Sequence, residues 1–298
     1  MSERQAVLKE FHRQSLYMEG RIRDGIEANR KGYAQIKLVD ADGNPVPSAH
    51  IKATQLTHDF RLGANCFMLG ELETPEKNVA YEQYFKDAFN LATIPFYWSD
   101  LEPEQGKPRF AKDSPRIYRR PPTDRCVEFC EQNGIEPKCH CLHYVAFHPK
   151  WLPLGDLTAQ KYFLEKRMRE LSERYAARIP SWEVLNESYW GTHRFQGSLY
   201  HEPDFVDWSF STADRYFHSN RLIINDDSHT VWCNYKDFRS AYYMEIKQAI
   251  DHGAHLDSIG MQYHMFMRRE NEIENLEHFY NPRRLFNVRQ ANPLSVTA

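Results

Sequence analysis

The pattern of apolar and polar positions changes character twice along the chain. Val7, Leu8, Phe11, Leu16, Met18, Ile22 and Ile26 recur at helical spacing in a charged stretch, which predicts a leading helix over residues 1–30. Residues 34–39 and 50–54 then alternate apolar and polar side chains on either side of the turn-rich stretch 40–47, with its Asp-Gly-Asn-Pro run. That is the pattern of a small β-hairpin. From about residue 59, short apolar runs alternate with amphipathic segments. Strands are predicted over 61–67, 91–98, 135–144, 181–187, 221–225 and 257–264.

The intervening helices carry their own signals. Thr74-Pro75-Glu76 places a cap before a proline at the first helical position, and Tyr81, Tyr84, Phe85, Ala88 and Phe89 follow at helical spacing. Thr158 is the predicted cap of a helix whose inner stripe is Leu164, Met168, Leu171 and Tyr175. Phe238, Tyr242, Ile246, Ala249 and Ile250 mark another, closed by Gly253.

Strands alternating with helices imply a parallel sheet. A closed barrel of such units needs eight strands, and the pattern supplies six. The expected fold class is therefore α/β: a TIM (β/α)8-type barrel, incomplete at about six βα units, with an N-terminal helix and β-hairpin appendage. The expected organisation is an appendage over 1–58, a partial barrel over 59–288 and an unstructured tail over 289–298. In the last part, Asn281 and Pro282 open a helix carrying Leu285, Phe286 and Val288, and Pro293 breaks it early. No apolar strand ending in Glu follows, so the expectation is a truncated or frame-altered product. Strands one and six would then have open edges, favouring self-association.

Composition narrows the class without naming a function. Over 298 residues, 41% hydrophobic and 27% charged content is that of a folded globular domain. A net charge of −3 argues against a nucleic-acid partner. No apolar run is long enough to span a membrane, so no membrane partner is expected. No apolar segment of a secretory signal follows Met1-Ser2-Glu3-Arg4. The sequence as it stands thus reads as cytoplasmic or as a trimmed secreted form. Cys126 and Cys130 on a predicted helix, with Cys139 and Cys141 beside His140 and His143 on a predicted strand, offer soft ligands. Their spacing is not that of paired zinc knuckles, and buried free thiols account for them as well.

The most informative segment is Trp182-Glu183-Val184-Leu185-Asn186-Glu187, an apolar strand ending in Asn-Glu. In a βα barrel the reacting groups sit at the C-terminal ends of strands. A protonated Glu there can donate to a departing glycosidic oxygen, and a neighbouring Asn can bond a sugar 2-hydroxyl. A strand that merely ends in polar residues would read the same way.

The surrounding motifs resemble glycoside hydrolase family 10, the xylanase-type family. "WEVLNE" (182–187) is similar to its fourth-strand motif, "KCHCLHY" (138–144) with "PKWL" (149–152) to its third, and "LIINDD" (222–227) to its fifth. "IGMQYH" (259–264) is similar to the sixth and "FRLGANCF" (60–67) to the first. The resemblance covers about residues 59–288, in order. It implies Glu187 as acid/base, with sugar binding by His140, Tyr144 (at the family's Trp position), Asn186, Gln262 and His264. Trp98 and Trp190 are further candidates for stacking on sugar. The implied reaction is retaining endo-cleavage of a β-linked plant polysaccharide such as xylan. No cofactor is required, because two carboxylates and water suffice.

Two departures from the family pattern change the expectation. The second strand reads Ile94-Pro95-Phe96-Tyr97-Trp98-Ser99-Asp100, where the family carries a Glu-Asn and Lys-Trp set. Only the Trp remains, which loosens the link to xylan itself. The seventh-strand nucleophile also has no counterpart. Asp226 and Asp227 are the better stand-ins, and Glu270 and Glu272 lie in a polar run. The chain is thus expected to be weak or inactive as an enzyme, or to be a non-catalytic carbohydrate-binding remnant of the fold.

Overall fold

A computed structural model describes residues 8–56, 58–189, 197–226, 240–262 and 295–296. The chain divides into two compact units, one ending at Phe60 and a larger one beginning at Arg61. In the first, helices α1 (Lys9–Arg13) and α2 (Ser15–Asn29) replace a single leading helix. Neither the Leu16 nor the Ile22 side chain is covered. The predicted hairpin is reduced to its turn. Asp40 N–H donates to Asn44 O, Val46 N–H donates to Leu38 O, and one antiparallel bridge joins Val39 to Pro45. Residues 50–54 form no strand, so the expected second arm is absent.

The larger unit is the βα wall that the alternation predicts. Strands β1 (Gly63–Asn65), β2 (Leu91–Pro95), β3 (Glu136–His140), β4 (Ser181–Asn186), β5 (Arg221–Asp226) and β6 (Ser258–Met261) lie side by side in chain order. Every neighbouring pair is parallel. Each strand is shorter than its apolar run suggests, except β5, which runs one residue further. Ser295–Val296 (β7), in the stretch expected to be an unstructured tail, pairs in parallel with β6.

Helices pack between the strands: α3 (Pro75–Ala88), the short α4 (Trp98–Leu101), α5 (Thr123–Asn133), α6 (Leu157–Tyr175), α7 (Phe205–Phe217) and α8 (Ala241–Asp251). Local chemistry sets their ends. Thr74 accepts from Lys77 N–H ahead of Pro75, as its sequence signal indicates. Gly134 and Gly253 take left-handed φ of 64° and 87° just beyond α5 and α8. The cap of α6 is Asp156, which accepts from Ala159 N–H at 2.9 Å, and not Thr158, which lies inside the helix. Helix α7 has its own buried stripe, including Phe210, Ala213 and Phe217.

The core lies between the strands and this helical layer. Trp182 is fully buried, with its ring 4.3 Å from that of Phe217 and 5.6 Å from that of Phe96. Five cysteines, Cys66, Cys126, Cys130, Cys139 and Cys141, are buried free thiols. Burial raises the thiols of Cys130, Cys139 and Cys141, as expected of packing groups. Among the described residues, the two helix cysteines and the two strand cysteines do not converge into a ligand set.

Strands β5 and β6 come together closely at a glycine. A Cβ at Gly260 would lie 2.4 Å from Asn225 Oδ1 and 2.8 Å from Asn225 Cβ. Gly260↔Asn225 is a register pair of β6 and β5. Gly260→Ala should therefore push the Asn225 side chain away and destabilise the domain by about 1–3 kcal/mol. Urea unfolding of the variant checks this, and an unchanged midpoint would mean that the sheet has slack at this position.

Candidate active site

Strand alternation accounts for the first layer of the site. Lys138 and His140, two apart on β3, share a face. Both point at Glu183 on β4: Lys138 Nζ lies 2.7 Å from Glu183 Oε2, and His140 Nδ1 lies 2.7 Å from Oε1. Glu183 is wholly buried and Lys138 nearly so. Burial pushes the Glu183 carboxyl up, but the charges of His140 and Lys138 and their hydrogen bonds outweigh it and bring the group down to about 2. The other nitrogen of His140, Nε2, is 2.9 Å from the hydroxyl of Tyr97, the second residue past β2. Tyr97 is in turn covered by Phe147, with ring centroids 4.0 Å apart, and by the Arg120 guanidinium at 4.3 Å.

The second layer depends on an irregularity. In an ideal strand, Glu183 and Asn186, three apart, would face opposite sides. The β4–β5 register shifts between Glu183 and Leu185, and such a shift re-aims the residues beyond it. Asn225 of β5 can consequently donate to both: its Nδ2 lies 3.2 Å from Glu183 Oε1 and 2.7 Å from Asn186 Oδ1. Gln262, just past β6, donates to Asn186 Oδ1 at 3.1 Å and to Glu187 Oε1 at 3.0 Å.

Glu187 follows β4 directly. Its φ of +55° is a left-handed value that is uncommon for a residue with a side chain. Its N–H donates to Asn225 O at 2.8 Å, which holds the turn. Tyr144 O–H donates to Glu187 Oε2 at 2.6 Å, so each carboxylate oxygen has one protein donor. Burial and the bond to Glu187 both raise the Tyr144 hydroxyl, keeping it a donor across ordinary pH. Behind Glu187, Ser188 Oγ donates to Glu245 of α8 at 2.7 Å. Burial raises that carboxyl to about 7, against the opposing effect of the Ser188 bond.

The structure thus brings His140, Tyr144, Asn186, Glu187 and Gln262 into one hydrogen-bonded cluster. Trp98 does not join it. Only 4% exposed, it donates from Nε1 to Glu102 and packs edge-on to Trp151, so its ring faces the helical layer. Trp190 and His264 lie outside the described residues, as do Asp227, Glu270 and Glu272. Asp226 is buried and accepts from Tyr189 N–H at 2.8 Å. Sequence reasoning did not single out Lys138, Glu183, Asn225 or Tyr97. The available signal was charge within otherwise apolar strands, since buried charges occur in pairs.

The one set of three described metal-type ligands is His140, Cys141 and Glu183, whose ligand atoms lie within 4.8 Å of one another. The Lys138 ammonium on Glu183 and the Tyr97 hydroxyl on His140 make it a poor cation site. The arrangement suits something else: a carboxyl group at a strand end, flanked by neutral amide and phenol donors that can exchange partners with sugar hydroxyls.

Two outcomes are expected from the buried charges. Glu183→Gln would leave the Lys138 ammonium without its counter-charge and should cost about 3–5 kcal/mol, read from urea unfolding. An unchanged stability would show that water reaches the pair. Glu245 has a folded value near 7 against an ordinary 4.5. The unfolded chain therefore loses that proton first as pH rises, so stability present below about 4.5 is lost as pH rises through about 7, by up to about 3 kcal/mol. Glu245→Gln should flatten this part of the stability profile, and an unaltered slope would place the dependence elsewhere.

Residues 56–283 match the sequence model described as Glycosyl hydrolase family 10. Endo-1,4-beta-xylanase 1 of Arabidopsis thaliana is 24% identical over 245 residues, covering 79% of this chain and 24% of that protein. Endo-1,4-beta-xylanase A of Xylanibacter ruminicola is 26% identical over 150 residues, covering 47% of this chain and 40% of that protein. The chain thus spans well under half the length of these curated relatives. Among solved structures, xylanase 10B from Thermotoga petrophila RKU-1 in complex with xylobiose superposes with a TM-score of 0.60 at 21% identity, covering 83% of this chain and 73% of that one.

Proposed function

Because the chain belongs to glycosyl hydrolase family 10, we propose that its cluster at the ends of β3, β4 and β6 is a glycosidase site for a β-linked oligo- or polysaccharide, with Glu187 as the acid/base. The observation that carries this reading is the placement of Glu187. It sits at a strand end in a left-handed turn, with Tyr144 and Gln262 on its two oxygens. In a retaining cleavage, this carboxyl protonates the leaving oxygen and then takes a proton from water. Asn186, held by Asn225 and Gln262, is suited to the sugar 2-hydroxyl, and His140 to a neighbouring hydroxyl that takes the place of Tyr97 on its Nε2. The relatives are named as xylanases, and xylo-oligosaccharides are the first substrates to try. Tyr97 and the aromatic wall beside it, in place of the family's charged second-strand set, favour a differently decorated β-linked chain over plain xylan.

Retaining chemistry also needs a nucleophile about 5 Å from the acid/base. Among the described residues, Glu183 is committed to Lys138, His140 and Asn225, and Asp226 accepts the Tyr189 amide. This commitment supports a second reading, in which the chain binds carbohydrate with little or no turnover.

Hydrolysis of aryl β-xylosides and xylo-oligosaccharides by the purified chain separates the two. If the chain turns over, Glu187→Ala should lower kcat by about 10²–10⁴-fold on substrates that need protonation. It should lose less on an activated aryl glycoside when azide is added to intercept the glycosyl-enzyme. If the chain only binds, neither protein hydrolyses these substrates, and Glu187→Gln keeps its oligosaccharide affinity. Absence of both turnover and affinity would rule out a working sugar site.

A further inference from the structure

A second feature lies apart from the Glu187 cluster, between the loop after β2, the loop after β3 and α6. It is a cavity of about 130 Å³, adjoined by a smaller one that shares Glu102, Arg167 and Glu170. Its size is well below the ~300–1,000 Å³ of sites for drug-sized ligands, so it can hold one small ring and not a length of chain. One wall is aromatic. The rings of Trp151 and Phe163 meet edge to face at 5.4 Å, and both are only partly buried.

The floor of the cavity is a buried guanidinium. Arg167 is 4% exposed, and burial lowers it to about 10. Its Nε donates to Leu142 O at 3.0 Å, and its Nη2 donates to the carbonyls of Phe96 and Cys141. Its Nη1 donates to none of the described residues, and the residue lines both cavities. Nη1 is thus a donor without a protein acceptor at the wall the two cavities share, open to water or to a bound group. At the rim, Lys166 Nζ pairs with Glu170 Oε1 at 2.5 Å, which leaves Oε2 as an acceptor. The exposed Gln105 amide completes the polar edge.

The charges decide the ligand class. Two cations, Lys166 and Arg167, face two carboxylates, Glu102 and Glu170, so the cavity has no net pull on an anion or a cation. A purely apolar ligand would leave the Arg167 N–H unanswered. A neutral ring bearing several hydroxyls answers all the groups. Its hydroxyls accept from Arg167 and Gln105 and donate to Glu170, and its C–H face lies on an aromatic ring. The geometry points to a second carbohydrate-binding site, sized for a single pentose or hexose unit and separate from the Glu187 cluster. It would anchor a chain end or side branch while the chain runs elsewhere. The inference does not depend on turnover at Glu187.

The test is a titration of the ¹⁵N-labelled full chain with D-xylose and D-glucose, with glycerol as the acyclic control. The probe is the Trp151 indole N–H, which donates to Glu102 O at 2.9 Å within the site and is assigned by its loss in Trp151→Phe. The expected result is a saturable shift with at least one of the sugars, with Kd in the millimolar range, as befits a single ring. Phe163→Ala and Gln105→Ala should each weaken it at least about five-fold, with Glu187→Gln leaving it unchanged. Gln105 is exposed on a loop, so its variant remains informative if Phe163→Ala does not fold. No saturable shift, an equal response to glycerol, or a shift abolished by Glu187→Gln and untouched by Gln105→Ala would each overturn the proposal.

Discussion

The buried pair of Lys138 and Glu183 is the constraint around which the barrel wall is arranged. Removing a carboxylate and an ammonium from water costs several kcal/mol each, and their attraction repays that only when the remaining hydrogen-bonding positions are also filled. Here they are filled by His140 and Asn225. Filling them in turn fixes the side chains that carry the candidate chemistry. His140 is oriented by Glu183 on one nitrogen and Tyr97 on the other. Asn225 is pinned between Glu183 and Asn186, and Gly260 leaves it the room to sit there. A pair that contributes little net stability thus contributes geometry.

The backbone irregularity of β4 extends this order outward. Without the register shift after Glu183, the strand could not present both Glu183 and Asn186 to Asn225. Without the left-handed turn at Glu187, the carboxyl would not meet both Tyr144 and Gln262. Strain of this kind persists where surrounding contacts over-determine it, and the Glu187 N–H bond to Asn225 O is such a contact. The same asparagine therefore supports the terminal carboxyl through its backbone and the interior carboxyl through its side chain.

The aromatic residues divide between two tasks. Trp98, at a strand end and so a natural candidate for stacking on substrate, has its ring taken into the helical layer by Glu102, Trp151 and Arg167. Tyr97 takes the place facing His140 instead. The displaced tryptophan helps to build the wall behind the outer cavity, so the residue that leaves one candidate sugar site lies beside the other.

Much of this was legible in the chain itself. The alternation of short apolar runs with amphipathic helical segments specified six parallel strands in order, because a strand–helix alternation implies βα units. The Thr74 cap and the Gly253 stop were visible because capping depends on neighbours in sequence. The terminal Asn186-Glu187 pair was visible because the ends of barrel strands are where such groups gather. The hairpin beyond residue 34 was over-read, since alternation does not say whether a second arm finds a partner. The Asp156 cap, the reversal of Trp98 and Tyr97, the Lys138–Glu183 pair and the role of Asn225 were decided only by tertiary structure. Apart from the cap, each depends on contacts between residues tens of positions apart in the chain. The periodicity of a strand tells which residues share its face, whereas the neighbouring strand's register, and a single shift in it, selects the groups they meet.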